Sequence, residues 1–338
     1  MADTAGSDVL FKSKEVSNHV RTRFSSNTPV SARLTPEAVE PRFQVADYAV
    51  LMKPRVMSLV VFTALVGLLL APGSIDPWTG TAAIVFIAFG AGAAGAINMW
   101  YDRDIDAQMR RTMQRPLPAG RMQPGSALIF GTLMAVGSVL AMAIYVNPVA
   151  AALLLTTIGY YVFVYTVWLK RITPQNVVIG GVSGALPPMV GWAAVTADIA
   201  LGGIALFLII FLWTPPHSWA LALFRRGDYE AAGVPMLPVV AGERATQKQM
   251  LAYTVLLLPA SLLPVAIGLS GILYTGVAIL FGTGFAFYTL KLWQADRTPE
   301  NPQAGNHAAR KLFFFSIQYL FALFLALLID QVVFYPLG

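Results

Sequence analysis

Apolar residues gather along the chain into nine stretches: Val56 to Ala71, Thr79 to Ile97, Gly125 to Tyr145, Pro148 to Trp168, Val177 to Val195, Ile199 to Trp219, Met250 to Leu269, Gly271 to Leu290 and Leu312 to Val332. The hydrocarbon core of a bilayer is about 30 Å thick, so a helix that crosses it needs roughly 20 mostly apolar residues. Each stretch therefore predicts one spanning helix, the first reaching full length only if it begins near Tyr48. The expected fold class is all-α: a polytopic membrane protein of nine transmembrane helices.

The connectors between these stretches are of two kinds. Pro72 to Trp78, the turn at Asn147, Thr196 to Asp198, the turn at Ser270 and the tail after Val332 contain no Lys or Arg. All 23 basic residues lie in the others: eight before the first span, five between Asn98 and Gln123, Lys170 with Arg171, four between Arg225 and Lys248, and four between Lys291 and Lys311. The positive-inside rule then puts the N-terminus inside and, with an odd number of spans, the C-terminus outside. A soluble bundle of nine buried helices has no reason to alternate in this way.

Composition agrees with the pattern. Of 338 residues, 57% are hydrophobic and 12% charged, against about a quarter charged in soluble domains. A net charge of +6 on a soluble protein would raise the question of nucleic acid, but topology accounts for it here and no such partner is expected. Cysteine is absent, which excludes disulfides, thiolate metal sites and a cysteine nucleophile; any metal must sit on oxygen or on one of three histidines. Residues 1–45 are polar, carry no apolar run for a signal peptide, and are interrupted by Asp3, Asp8, Glu15, Glu37 and Glu40, unlike a mitochondrial presequence. They read as a disordered bacterial extension, followed by the nine-helix domain over 46–338.

Ionisable groups at the inner edge of the spans are where chemistry is to be sought. Asn98, Asp102 and Asp106 stand four residues apart, so each advances only about 40° around a helix and the three form one polar stripe, with Asp104 on the far side. Two carboxylates a turn apart repel. Magnesium would compensate, since it takes oxygen ligands and bridges one or two carboxylates to substrate phosphates; a solvated loop balancing Arg103, Arg110 and Arg111 is the equal alternative on spacing alone. The following segment favours the metal, because Arg115 precedes a stiff Pro-Leu-Pro turn and five arginines beside three acids suit metal plus phosphate. Lys53, Arg55, Lys170 and Arg171 add cations on the same face, each pair also serving as a topology anchor. A second concentration runs from Trp213-Thr-Pro-Pro-His217 to Asp228 and Pro238. His217 sits beside a Pro-Pro break near the inner end of an apolar helix, where freed carbonyls can line a cavity.

These motifs resemble the UbiA superfamily of intramembrane prenyltransferases, whose first aspartate-rich motif matches Asn98-x3-Asp102-x3-Asp106. Three longer blocks look like the heme O synthase branch, the protoheme IX farnesyltransferases: Asp106 to Arg121, Tyr165 to Trp192, and Pro215 to Pro238 with Pro-Pro-His and Asp-Tyr-x3-Gly-Val-Pro-Met-Leu-Pro. The resemblance covers roughly 45–330. It implies helices around a central cavity, an inner-membrane location in a bacterium, or the mitochondrial inner membrane in a eukaryote, and transfer of farnesyl from farnesyl diphosphate to the 2-vinyl group of heme B with addition of water. It further implies magnesium on Asp102, Asp106 and Asp228, and diphosphate held by Lys53, Arg55, Arg115 and Lys170. Asn98 would act with the acids and His217 would contact the acceptor, while the product would pass to a heme A synthase or oxidase assembly machinery. Most relatives carry a second Asp-x3-Asp motif where this chain has His217 and then Asp228. The readings that compete are a prenyltransferase for a quinone precursor, a membrane transporter, and a noncatalytic oxidase assembly factor.

Overall fold

The computed structural model describes residues 44–295 and 303–334. The expected disordered extension over 1–45 lies outside them except for Gln44 and Val45, which lead into the first helix.

The chain is all-helical through this region. Helix α1 (Val45–Leu51) and α2 (Pro54–Leu70) meet at 55°. Lys53 causes the bend: it adopts φ 52, ψ 53, a left-handed conformation, and the proline after it cannot continue the α1 hydrogen-bond ladder. Helix α3 (Pro77–Tyr101) is capped by the Asp76 carboxylate, which accepts from Thr79 N–H, with Pro77 at the first helical position. Short α4 (Arg103–Gln108) continues it after a single irregular residue, Asp102. Then come α5 (Pro124–Tyr145) and α6 (Pro148–Gly159), the latter running on as a π-helical segment (Tyr160–Trp168) and a 3-10 turn (Leu169–Arg171). Helices α7 (Asn176–Ala185) and α8 (Pro187–Thr196) share one span, interrupted at Leu186, just before Pro187. Helix α9 (Leu201–Phe224) is followed by α10 (Arg226–Ala231), α11 (Leu237–Val240), α12 (Gly242–Ala260), α13 (Leu263–Ala266), α14 (Ile272–Gln294) and α15 (Ala304–Phe334).

Among the described residues, eight helices are long and apolar enough to cross a membrane, and the bent α1–α2 pair makes nine if counted as one span. The chain is an integral, multi-pass membrane protein. Its lipid-facing sides are apolar: Ile129, Leu133, Val136 and Leu140 recur at helical spacing on α5 and are all exposed, a surface that water would not tolerate. Inside, the packing is close because small residues let backbones meet. A Cβ on Gly67 would lie 2.0 Å from the Pro188 carbonyl oxygen, and one on Gly191 would lie 2.0 Å from that of Ala64, so α2 and α8 cross nearly backbone to backbone. Asn147 ties a further pair together. It caps α6 through Ala150 N–H and donates its amide to the carbonyls of Ala193 and Ala194 at the end of α8.

Candidate functional site

The site begins with helical register. Asp102 N–H bonds to Asn98 O at 2.9 Å and Asp106 N–H to Asp102 O at 2.8 Å, so the junction of α3 and α4 keeps the three side chains on one face. All three are buried, at 4%, 1% and 3% exposure, although each is polar. Burial of two carboxylates a turn apart requires compensation, and four cations supply it. Lys170 pairs with Asp102 Oδ2, and Arg171 Nη2 stands 3.7 Å from Asp102 Oδ1. Arg115 pairs with Asp106 at 2.6 Å. Lys53 Nζ donates to Asn98 Oδ1 at 2.6 Å.

Asn98 is the hub. Its amide nitrogen donates to Asp102 Oδ2 at 2.6 Å and to Thr166 Oγ1 at 3.0 Å while its oxygen accepts from Lys53, so its orientation is set from three sides. Thr166 is fully buried, and its hydroxyl donates a hydrogen bond to Tyr161 O, five residues earlier, in the π-helical register. The widened turn thus delivers both Thr166 and, at its end, Lys170 to the acid stripe, in keeping with the use of π-bulges at functional sites. The rings of Tyr161 and Tyr165 lie 5.3 Å apart, tilted by 35°, on the same segment, with Lys53 Nζ 5.9 Å from the Tyr161 ring.

The loop that carries Arg115 is anchored separately. Arg121 grips the buried Asp47 of α1 with Nη2 3.0 Å from Oδ1, and also donates to Gln114 O. Arg111 reaches Tyr229 of α10 at 3.3 Å, which brings the Asp228 segment to this end of the molecule. Asp104, out of phase with the stripe, is exposed and held by both guanidinium nitrogens of Arg171 at 2.7 Å; that hydrogen bond keeps its carboxyl below the usual range.

The structure gathers Lys53, Asn98, Asp102, Asp106, Arg115 and Lys170 into one cluster. Arg55 is not drawn in: it lies exposed in the first turn of α2, and among the described residues it forms no ion pair with these acids. Asp228 is partly buried near Arg225 and shares no group of three or more His, Asp or Glu with Asp102 and Asp106 among the described residues. His217 sits in α9 between the rings of Trp213 at 4.2 Å and Phe313 at 4.7 Å, its Nδ1 2.6 Å from Ser316 Oγ. Thr166 and Arg171 belong to the cluster too. Arg171 is one of the cations the sequence places on this face; Thr166 does not stand out, because the nonpolar span around it gives no hint of its partner.

Among the described residues, the buried side-chain oxygens without a hydrogen-bond partner include Asp102 Oδ1 and Asp228 Oδ2. An orphaned carboxylate oxygen beside a second buried carboxylate is a donor set suited to magnesium, which needs few protein ligands when substrate phosphates complete its shell.

The site is thus a buried acid ridge under clustered cations in a multi-helix membrane fold. The UbiA prenyltransferase family model matches residues 60–317, and the chain belongs to that family. It is 54% identical over 285 residues to the Protoheme IX farnesyltransferase of Parvibaculum lavamentivorans, covering 84% of this chain and 88% of the relative. It is 52% identical to that of Bartonella tribocorum, covering 88% and 95%. Among solved structures, one of digeranylgeranylglyceryl phosphate synthase superposes with TM-score 0.69 at 19% identity, covering 85% of this chain and 98% of that one. A UbiA homolog from Archaeoglobus fulgidus bound to DMAPP and Mg2+ superposes with TM-score 0.60 at 15% identity, covering 84% and 99%.

Proposed function

We propose that this protein transfers the farnesyl group of farnesyl diphosphate to the 2-vinyl group of heme B, with addition of water, to give heme O. The observation that carries the reading is the buried Asn98, Asp102, Asp106 ridge enclosed by Lys53, Arg115, Lys170 and Arg171, together with relatives named for this reaction at 52–54% identity. The chemistry needs electrostatics more than covalent help. The allylic C–O bond breaks, the electron pair leaves with diphosphate, and the cations around the ridge neutralise the charge as it builds. Asp102 and Asp106 would hold magnesium, which supplies Lewis-acid stabilisation of the leaving diphosphate when bound. Asp228, whose buried Oδ2 makes no hydrogen bond and lies 4.0 Å from Arg225 Nη1, is the candidate ligand for a second ion. Arg55 is assigned the weakest diphosphate role, since its side chain is exposed.

The farnesyl cation is delocalised, and the faces of Tyr161 and Tyr165 beside Lys53 are suited to steady it. The vinyl π electrons then form the new C–C bond. Water adds to the resulting cation and loses a proton, leaving a hydroxyethylfarnesyl side chain. Water reaching the farnesyl cation first would destroy it, so the apolar bundle interior serves the reaction by exclusion. His217 is proposed to contact the porphyrin. Ser316 Oγ donates to Phe313 O at 2.6 Å, so the imidazole donates to Ser316 from Nδ1 and keeps the lone pair of Nε2 for an acceptor atom or iron.

The same reading assigns the protein to a bacterial inner membrane with its basic connectors inside, and has its product consumed by a heme A synthase or oxidase assembly machinery. Purified protein in lipid, given heme B, farnesyl diphosphate and magnesium, is expected to yield a porphyrin heavier by a farnesyl chain and a hydroxyl group. Prenylation of 4-hydroxybenzoate in a parallel reaction, with none of heme B, would move the assignment to quinone precursors; chelation of magnesium should stop either product.

A further inference from the structure

Away from the acid ridge, two adjoining clefts of about 360 and 790 Å3 open between the end of α14 and the start of α15, sharing Tyr288, His307 and Lys311 in their walls. They lie at the same end of the molecule as the ridge. Arg111 of the α4–α5 loop reaches Tyr229, Arg226 lies 4.0 Å from Glu243, and Arg244 at the start of α12 donates to Trp293 O near the end of α14, so one polar layer links the ridge to the clefts.

The walls repeat one arrangement on both helices. On α14, Lys291 stands with Nζ 5.4 Å from the ring of Phe287, one turn deeper in the membrane; on α15, Arg310 lies 5.8 Å from the ring of Phe314, again one turn deeper. Phe287 and Phe314 are 52% and 51% exposed. Lys291, Arg310 and Lys311 have no acidic partner among the described residues. Lys291 and Arg310 over two exposed aromatic rings, with Lys311 beside them in the cleft wall, therefore face the lipid side of the bundle with no acidic partner among the described residues, at the level where aromatic belts meet headgroups.

We propose that this cleft is a binding site for an anionic phospholipid, its phosphate on Lys291, Arg310 and Lys311 and its acyl chains over Phe287 and Phe314. The exposed rings select a lipid over a free anion, because dissolved phosphate gains nothing from an apolar wall. Basic pockets between transmembrane helices on the inner face recognise such headgroups through this combination of charges and depth.

Native mass spectrometry of the full protein from mixed phosphatidylglycerol and phosphatidylcholine nanodiscs tests the site. Wild-type protein should retain phosphatidylglycerol preferentially, and the triple variant Lys291→Gln, Arg310→Gln, Lys311→Gln should retain it at least about tenfold less. A charge-preserving variant, Lys291→Arg with Arg310→Lys and Lys311→Arg, should keep it, which separates lost charge from lost folding. Equal retention of the two lipids by wild type, equal retention by wild type and the neutral variant, or displacement of phosphatidylglycerol by millimolar inorganic phosphate would each overturn the proposal.

Discussion

Asn98 shows how a single side chain organises the candidate site, since all three of its polar contacts go to different helices or segments. The stripe of Asn98, Asp102 and Asp106 was legible because a spacing of four survives any small irregularity in a helix, and the structure keeps the three buried on one face. Thr166 was not legible, because its reach to Asn98 depends on a π-helical register that leaves no mark in the order of residues. It acts as a positioning residue: Thr166→Val should lower kcat/KM about tenfold by leaving an Asn98 donor unpaired, and Thr166→Ser should restore most of it. A steady-state comparison of the two variants checks this, as a purely structural loss would not be rescued by the smaller hydroxyl. Arg55 stands apart from the cluster despite its proximity in sequence, for Lys53 turns toward Asn98 at the bend while Arg55, two residues on, is exposed. Asp104 offers a pH test. Its carboxyl is held below the usual range, first by the Arg171 hydrogen bond, so its contribution to stability is present above about pH 4 and fades as pH falls through the folded value. The unfolding midpoint of wild type should therefore exceed that of Asp104→Asn near pH 7, and the gap should narrow as pH falls below about 4.

Elements were legible where hydrophobicity alone defines them and illegible where polar residues extend a helix beyond the bilayer. Helix α12 begins at Gly242, well ahead of the apolar stretch at Met250, because Glu243, Arg244 and Lys248 continue the same helix into the polar layer. Helix α15 likewise starts at Ala304 although its apolar stretch begins at Leu312. The first span is bent at Lys53 where the sequence had suggested one stretch starting near Tyr48. Close crossings are also a property of elements. Gly191→Leu would drive a side chain into the Ala64 carbonyl, which an overpacked interface accommodates only by separating α2 from α8. Thermal unfolding in detergent should show a loss of about 1–3 kcal/mol or failure to fold, whereas Gly137→Leu on α5, where the added Cβ meets nothing within 4 Å, should change little.

For the whole molecule, the uneven distribution of Lys and Arg predicts its orientation, and the lack of cysteine makes that orientation easy to measure. Single cysteines placed at Gln123 and Ser74, both exposed in connectors of opposite kind, should be labelled by impermeant maleimide from the inside and the outside respectively. The reverse pattern would invert the topology. The chemistry rests on one further whole-molecule property, that a bilayer protein has brought two buried carboxylates and four cations together from the α1–α2 bend, the α3–α4 junction, the loop after it and the 3-10 turn that follows the π-helical segment. The direct measurement is calorimetric binding of a non-reactive farnesyl diphosphate analogue, with and without magnesium, to wild-type protein and to Asp102→Asn. The account predicts binding that requires magnesium and weakens about a hundredfold or more in the variant. Equal affinity without the metal, or with Asp102 replaced, would contradict it.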